Sequence, residues 1–419
     1  MMSSDTKFGV VIFDDPERPA TGWASLAGER PRRINHLSSL ESDGVFVSNL
    51  DWQQIFNINA SREPRLRCSN FLREELSIIC QDLDLPIFED PASCLNTLSE
   101  FVDRSVRLAM ETYGFERVGK TLKESIYETL FPRGEAASFG TPKIDEAFGE
   151  AYLPLQRCYT NNMRASRNAK LRFARATFAR LLSKFPIPIG PWTVYKGQLP
   201  DRGKGPRSGE DSAVYKFLKE FGGDKPALCK VSVRNVDKAC AELLGHTNGT
   251  DRRDWVPIQE AAFLSTISEV TVKSMIVGSR YQSYEDVHYG WKEQSAVGDV
   301  SYSLGLVAEA HISALSSGTK KPGGGTAYSP RAVFLKAWDR ILLFKTAFAL
   351  HQRDICVTSF AMGAVNVAIE DHQLKFVAEE CLRQGLTPPM WLLNANMLDE
   401  ELGEGASDGE QDVRLSTIV

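Results

Sequence analysis

Several things are scarce in this sequence of 419 residues, and each scarcity removes a class of function. No run of about 18 apolar residues occurs, so no membrane-spanning helix and no membrane insertion are expected. The N-terminus, MMSSDTKFGVVIFDD, lacks the basic and then apolar regions of a secretory signal. The 8 cysteines form no C-x-x-C pair, which points to a reduced chain rather than to zinc binding or a disulfide framework. The 6 histidines stand far apart, so no metal centre and no cofactor are expected. The glycine loop Gly323–Gly325 lacks the Gly-Lys-Ser/Thr ending of a nucleotide P-loop. With 42% hydrophobic and 25% charged residues, what remains is an ordinary globular chain, long enough for one large or two ordinary cores.

The net charge of −5 is unevenly spread. Residues 151–240 carry 18 Lys/Arg against 6 Asp/Glu, a balance of +12 that leaves −17 on the rest. A basic belt on an acidic protein neutralises something anionic locally. Within it, Glu150–Lys184 (EAYLPLQRCYTNNMRASRNAKLRFARATFARLLSK) reads as a helix. Arg164, Arg167, Arg172 and Arg175 then fall within an arc of roughly 140°. Guanidinium forks bind phosphate oxygens bidentately and stay charged. Tyr159, Asn161 and Asn162 add neutral donors suited to phosphate or sugar.

Along the chain, FGVVIFD and Gly44–Leu50 read as strands. The phrase Asp14-Asp15-Pro16…Thr21-Gly22-Trp23-Ala24 resembles the first hairpin of RuvC-like nucleases. That resemblance implies a strand-end aspartate holding a metal, with Glu89 and Asp90 as further ligands. From Asn70 to Thr129 the pattern is helical, and residues 133–147 read as a loop. Residues 186–212, rich in Pro, Gly and charge, are expected to form a long loop. A short helix between Lys230 and Gly249 and a helix from Pro257 to Val277 follow, with a further short helix beginning at Tyr284–Trp291. The stretch Leu315–His372 opens on the cationic loop Lys320-Lys321-Pro322 and its three glycines. Tyr328-Ser329-Pro330 then starts a helix carrying Arg331, Lys336, Arg340, Lys345 and Arg353, with one apolar face. Leu374–Leu382 continues as helix, and the acidic end, Leu398–Val419, reads as a disordered tail.

Three phrases, in order, resemble rhabdovirus-like nucleoproteins of negative-strand RNA viruses. Tyr152–Lys170 is similar to their "WLPL…YRVGR" helix, and Phe263–Trp291 to their helix–"ST-E-D-V"–tryptophan segment. Ala314–Asp354 is similar to a later block in which an "LSS…YS" phrase precedes an apolar helix, with Tyr328-Ser329 and Trp338 in place. The resemblance covers about the middle half of the chain. The arginine spacing is shifted, the 186–212 loop is longer and the C-terminal arm is shorter than in that pattern.

The resemblance implies a mainly α, two-lobed nucleoprotein with an RNA-binding cleft between the lobes and a small strand-containing N-terminal segment. The lobes would be residues 1–250 and 251–398, followed by an acidic tail, 399–419. Such a protein is not an enzyme: it encapsidates single-stranded genomic RNA by sequence-independent phosphate binding and self-assembly, as template for the viral polymerase. Its partners would be single-stranded RNA, further copies of itself, a viral phosphoprotein and the polymerase. The compartments would be the virion and the host cytoplasm, with the nucleus as alternative. Arg164 and Arg167 would match the first-lobe basic pair, Arg252 or Arg253 the inter-lobe cations, and Lys320 or Lys321 with Ser329 the loop contacts. Lys345 and Arg353 would take the trailing basic positions. Two other readings stand beside it: a subunit of a viral RNA polymerase complex, and a RuvC/RNase-H-like metal-dependent nuclease using Asp14/Asp15 and Glu89/Asp90.

Overall fold

The computed structural model describes residues 6–41, 44–58, 65–87, 89–130, 140–152, 167–173, 185–200, 205–244, 255–282, 299–320, 326–361, 363–389 and 391–393. The first strand, β1 (Lys7–Phe13), is apolar and buried from Phe8 on because both of its faces are covered. It pairs antiparallel with β2 (Gly22–Leu26) on one side and parallel with β4 (Gly44–Ser48) on the other. β3 (Arg32–Ile34) and β5 (Leu66–Arg67) complete a five-stranded sheet of order β3-β2-β1-β4-β5. The strand pair β1–β2 is close: a Cβ on Gly22 would lie 2.2 Å from the carbonyl oxygen of Ile12, which only glycine tolerates.

Helices cover both faces of that sheet. Phe13, Val11 and Phe46 pack with Ile34, Leu50 and Ile55, the last from α1 (Trp52–Asn57). Phe8, Val10, Ile12, Val45 and Val47 face α2 (Leu76–Asp82), α3 (Pro91–Tyr113) and α4 (Leu122–Leu130). The limits of α3 are written in its residues. Asp90 accepts the N–H of Ser93, Pro91 opens the first turn, and Gly114 ends the helix at φ 71.

The rest of the chain alternates. After α5 (Pro142–Tyr152) come β6 (Arg167–Phe173), β7 (Ile187–Ile189), β8 (Thr193–Val194) and α6 (Ala213–Asp224). Next are β9 (Ala227–Arg234), α7 (Lys238–Leu244), β10 (Trp255–Pro257), α8 (Ile258–Ile267), β11 (Glu269–Val277) and β12 (Arg280–Gln282). Then follow α9 (Asp299–Leu315), β13 (Gly318–Lys320), β14 (Thr326–Tyr328) and α10 (Pro330–His351). β15 (Cys356–Ala361), β16 (Ala364–Ile369), α11 (Leu374–Arg383) and β17 (Leu386–Thr387) close the described chain. One four-stranded sheet has the order β10-β9-β11-β8 and another β15-β16-β6-β17, with two small hairpin sheets, β12-β7 and β13-β14. Leu343, Phe344, Ala347 and Leu350 of α10 form a core with residues of both four-stranded sheets. Leu306, Val307, Ala310 and Ala314 of α9 reach back into the core of the first sheet.

The expectation of a mainly α protein is corrected: the described residues form a mixed α/β structure with strands in five sheets. The N-terminal strands and the helices of residues 70–130 stand as expected. The helix expected over Glu150–Lys184 does not form as such, since α5 ends at Tyr152 and 167–173 is strand β6. Its apolar residues Ala169 and Leu171 alternate with Asn168, Lys170 and Arg172, a period of two that places the first set inward. Similarly, the helix expected over Pro257–Val277 is a helix followed by a strand, because Val270, Val272 and Ile276 are β-branched and lie on paired backbone. The expected loop 186–212 contains β7 and β8, the expected loop 133–147 gives way to α5 from Pro142, and the start of the expected 230–249 helix is the end of β9. The short helix expected from Tyr284 and the acidic tail lie outside the described residues. Among the described residues, no helix is long and apolar enough to cross a membrane.

Candidate nucleic-acid interface

β1 leads directly into Asp14 and Asp15. Asn49, just after β4, clamps the end of β1 with both amide groups: Phe13 N–H donates to Oδ1 (2.9 Å), and Nδ2 donates to Phe13 O (3.0 Å). α3 points its N-terminus to the same end. Asp103 Oδ1 accepts the N–H of Phe8 near the start of β1 (3.2 Å), and Ser99, one turn earlier, donates to Ser25 O in β2 (3.0 Å). The first turn of α3, capped by Asp90, therefore extends toward the end of the sheet where Asp14 stands.

These carboxylates share an end of the sheet, yet each is already engaged. Arg33 of β3 donates to both oxygens of Asp14, with Nη1–Oδ1 at 2.8 Å, and Thr21 Oγ1 donates to Oδ2 at 2.6 Å. The Arg33 bond first, and the Thr21 bond second, hold the Asp14 carboxyl below its ordinary range. Asp15 Oδ1 accepts the N–H of Glu17 (2.9 Å) in a local turn, and Asp90 caps α3. Among the described residues, no group of three or more His, Cys, Asp or Glu is placed to hold a metal ion. The described donors thus do not fit the converging carboxylates of a two-ion site.

The arginines of the basic belt meet different fates. Arg172 of β6 is buried and bonded to Glu74 and Asp82, and Lys170 joins the same Glu74 at 2.9 Å. Tyr302 of α9 donates to Asp82 at 2.6 Å, which ties β6, α2 and α9 together. Burial opposes the Arg172 charge most strongly, but Asp82, Glu309 and Glu74 together outweigh it and hold the guanidinium protonated. Arg172 is thereby corrected from a solvent-facing phosphate ligand to an internal tie. Arg167 is exposed, 3.2 Å from Asp371 and near the ring of Trp391. Arg164, Arg175, Arg252, Arg253 and Lys321 lie outside the described residues. Lys320 lies on β13, where the backbone alone is described.

On α10, Ser329 is buried, and its Oγ accepts the N–H of Ala332 (3.1 Å), so it caps the helix rather than presenting itself to a strand. Lys345 and Arg353 are exposed. Arg340 and Glu260 form a buried bidentate pair (Nη2–Oε2 2.6 Å, Nε–Oε1 3.2 Å), and Asp339 accepts the N–H of Gly363 in the β15–β16 turn (3.0 Å). Lys336 lies 3.8 Å over the ring of Tyr152, which stacks on Tyr328 at 3.7 Å. Burial, and then Arg340, lower the Lys336 ammonium to about 8, with Lys123 and Arg73 adding to the effect and Asp339 opposing it. Reading the sequence singles out neither Arg73 nor Lys123. Their charges act on Lys336 from positions about 260 and 210 residues earlier in the chain, which nothing local announces.

No protein-family model matches the chain, and no curated protein matches its sequence. Solved structures of phi29 DNA polymerase do match. Its ternary complex with primer-template DNA and incoming nucleotide substrates aligns over 88% of this chain and 81% of that one, at 10% identity and a TM-score of 0.45. Its complex with single-stranded DNA aligns over 87% and 80%, at 11% identity and a TM-score of 0.45. A likeness of this size transfers no residue role. The resemblance to rhabdovirus-like nucleoproteins is corrected, because the described architecture is mixed α/β and the matched structures are of a DNA polymerase. The expectations of a nucleocapsid protein and of a chain that is not an enzyme are withdrawn with it, because that resemblance was their ground.

Proposed function

We propose that this chain is a polymerase- or nuclease-like protein that binds nucleic-acid strands. The observation that carries the reading is the first sheet. In its order β3-β2-β1-β4-β5, with β1, β4 and β5 parallel and β2 antiparallel to both of its neighbours, Asp14 follows directly on the central strand, where the resemblance to RuvC-like nucleases implies a strand-end aspartate. Elsewhere, on β6 and at the end of α10, exposed Arg167, Lys345 and Arg353 are candidate phosphate contacts. Phosphate contacts release counterions, so affinity for a strand should fall as salt rises.

Fluorescence anisotropy with single-stranded DNA, primer–template DNA and single-stranded RNA, each across a salt series, tests this reading. Binding that weakens steadily with salt supports it. A protein that binds none of the three at low salt sinks it. Cleavage is assayed on the same samples with Mg²⁺ or Mn²⁺. Turnover that disappears in Asp14→Asn would assign chemistry to the end of β1, and turnover that survives in Asp14→Asn/Asp15→Asn would place it elsewhere.

A further inference from the structure

Asp14 is the carboxylate that a metal-dependent reading of the first sheet needs, and an arginine already holds it. Arg33 pairs with Trp23 across β3 and β2, and its guanidinium lies 5.8 Å from the centre of the Trp23 ring. From β3 it reaches the end of β1, two strands away, and places one terminal nitrogen on each oxygen of Asp14. The Thr21 hydroxyl donates to Oδ2 as well, and the Asp14 N–H donates to Thr21 O at 3.0 Å. The carboxylate is therefore held from β3 and from the β1–β2 connection at once. A guanidinium fork matches both oxygens of a carboxylate and keeps its proton.

The neighbouring strand brings no second negative charge. β4 runs parallel to β1, so the chain leaves both strands at the same end of the sheet. The residue after β4 is Asn49, a neutral amide already bonded through both of its groups to Phe13. Asp51, two residues further, accepts the N–H of Gln54 (2.7 Å) as the cap of α1, and Glu17 accepts from the Gln54 amide (3.1 Å). Asp15 closes its own turn and Asp90 caps α3. Two-ion chemistry needs several carboxylates that converge on the ions. Here one carboxylate meets one guanidinium, and their charges cancel. A divalent ion brought to Asp14 faces Arg33, a like charge that does not titrate away.

We propose that Arg33 takes the place of a metal ion at the end of β1, so that the chain binds strands without a divalent ion and does not cleave them there. What Arg33 replaces rests on the RuvC-like reading of the first sheet, whereas its hold on Asp14 does not. The Arg33 and Asp14 side chains are 44% and 41% exposed, so exchanging either should leave the core of the sheet intact and the chain folded.

The full chain is titrated with Mn²⁺ by calorimetry, and its binding of a fluorescent single strand is followed by anisotropy in Mg²⁺ and in EDTA at matched ionic strength. The variants are Asp14→Asn, Arg33→Glu and Arg33→Glu/Asp14→Asn, each with its unfolding midpoint recorded. Wild type and Asp14→Asn should bind Mn²⁺ alike, because no ion sits on Asp14. Arg33→Glu sets a second carboxylate beside the first and should bind Mn²⁺ about tenfold more tightly than wild type, a gain that the double variant loses. Strand binding should be equal in Mg²⁺ and in EDTA. Wild-type Mn²⁺ binding that Asp14→Asn abolishes would overturn the proposal, as would strand binding that fails in EDTA or cleavage that depends on Asp14. A folded Arg33→Glu protein that gains no Mn²⁺ would also overturn it. Should Arg33→Glu not fold, the comparison of wild type with Asp14→Asn decides alone. A wild type that binds no strand, with Mn²⁺ results as expected, would sink the nucleic-acid reading and keep Arg33 in the place of the ion. Strand binding together with Asp14-dependent Mn²⁺ binding would do the opposite.

Discussion

Arg340 and Glu260 are 5% and 1% exposed at their side chains, on helices that are 80 positions apart in the chain. Removing one partner takes the bidentate counter-charge away from a buried charge, which costs about 3–5 kcal/mol. Arg340→Met and Glu260→Met should each destabilise by about that amount in urea unfolding, and the double variant by less than their sum. Equal additive losses would mean that the pair is not coupled. Lys336 makes a second, pH-resolved case. Its folded value of about 8 lies below the ordinary 10.5, so between these values the unfolded chain binds a proton that the folded chain lacks. Stability therefore rises with pH across about 8 to 10.5 on its account. Burial contributes most to the shift, followed by Arg340 on its own helix, with smaller effects from Lys123 on α4 and Arg73 before α2 and an opposing one from Asp339. Thiols and phenols that burial pushes up, Cys80 and Tyr152 among them, pull the other way over this range, so the wild-type unfolding midpoint minus that of Lys336→Met, measured at several alkaline pH values, should rise. Parallel curves would remove Lys336 from the alkaline response.

At the scale of elements, what the sequence made legible was set by whether a segment's signal is local. The strand β1 is a continuous run of Val, Ile and Phe, and α3 carries its own cap, proline and terminal glycine, so both are read without knowing their neighbours. β6 is different. Its arginines suggest a helical face, but the alternation of Ala169 and Leu171 decides the matter once β16 pairs with it residue for residue. The partner lies nearly 200 positions later, and nothing near β6 announces it. β15 and β16 are equally quiet: a short hairpin whose turn glycine, at φ 71, is tied to Asp339 of α10. The end of the first sheet was legible in part, because Asp14 and Asp90 were singled out, whereas their engagement by Arg33 and Ser93 needed the fold. Strand β6 can be checked through its core residue. Leu171 is fully buried, so Leu171→Ala should cost about 2–5 kcal/mol, while Lys170→Ala, whose side chain is partly exposed, should cost less. Equal effects at the two positions would contradict the alternation.

Across the whole molecule, charge read along the chain and charge placed in space are different quantities. The +12 balance of residues 151–240 counts Arg172 and Lys170 in full, yet both are neutralised by Glu74 and Asp82, from another part of the sequence. Arg207 lies 3.8 Å from Glu269, and Lys216 lies 3.4 Å from Asp211. A cation that serves the fold and one that meets a strand are separated by experiment through two readouts taken together, salt slope and stability. Lys345 and Arg353 are exposed at the end of α10, so Lys345→Gln/Arg353→Gln should leave the unfolding midpoint in place. If both touch phosphates, the same variant should lower the salt slope of strand binding by about 1.4 in total. Arg172→Met should do the reverse, lowering stability by about 3–5 kcal/mol because Glu74 and Asp82 lose their buried counter-charge, with the slope unchanged where the protein remains folded. An Arg172 variant that keeps its stability and loses slope would return that arginine to the strand. A Lys345/Arg353 variant with an unaltered slope would move the phosphate contacts away from α10.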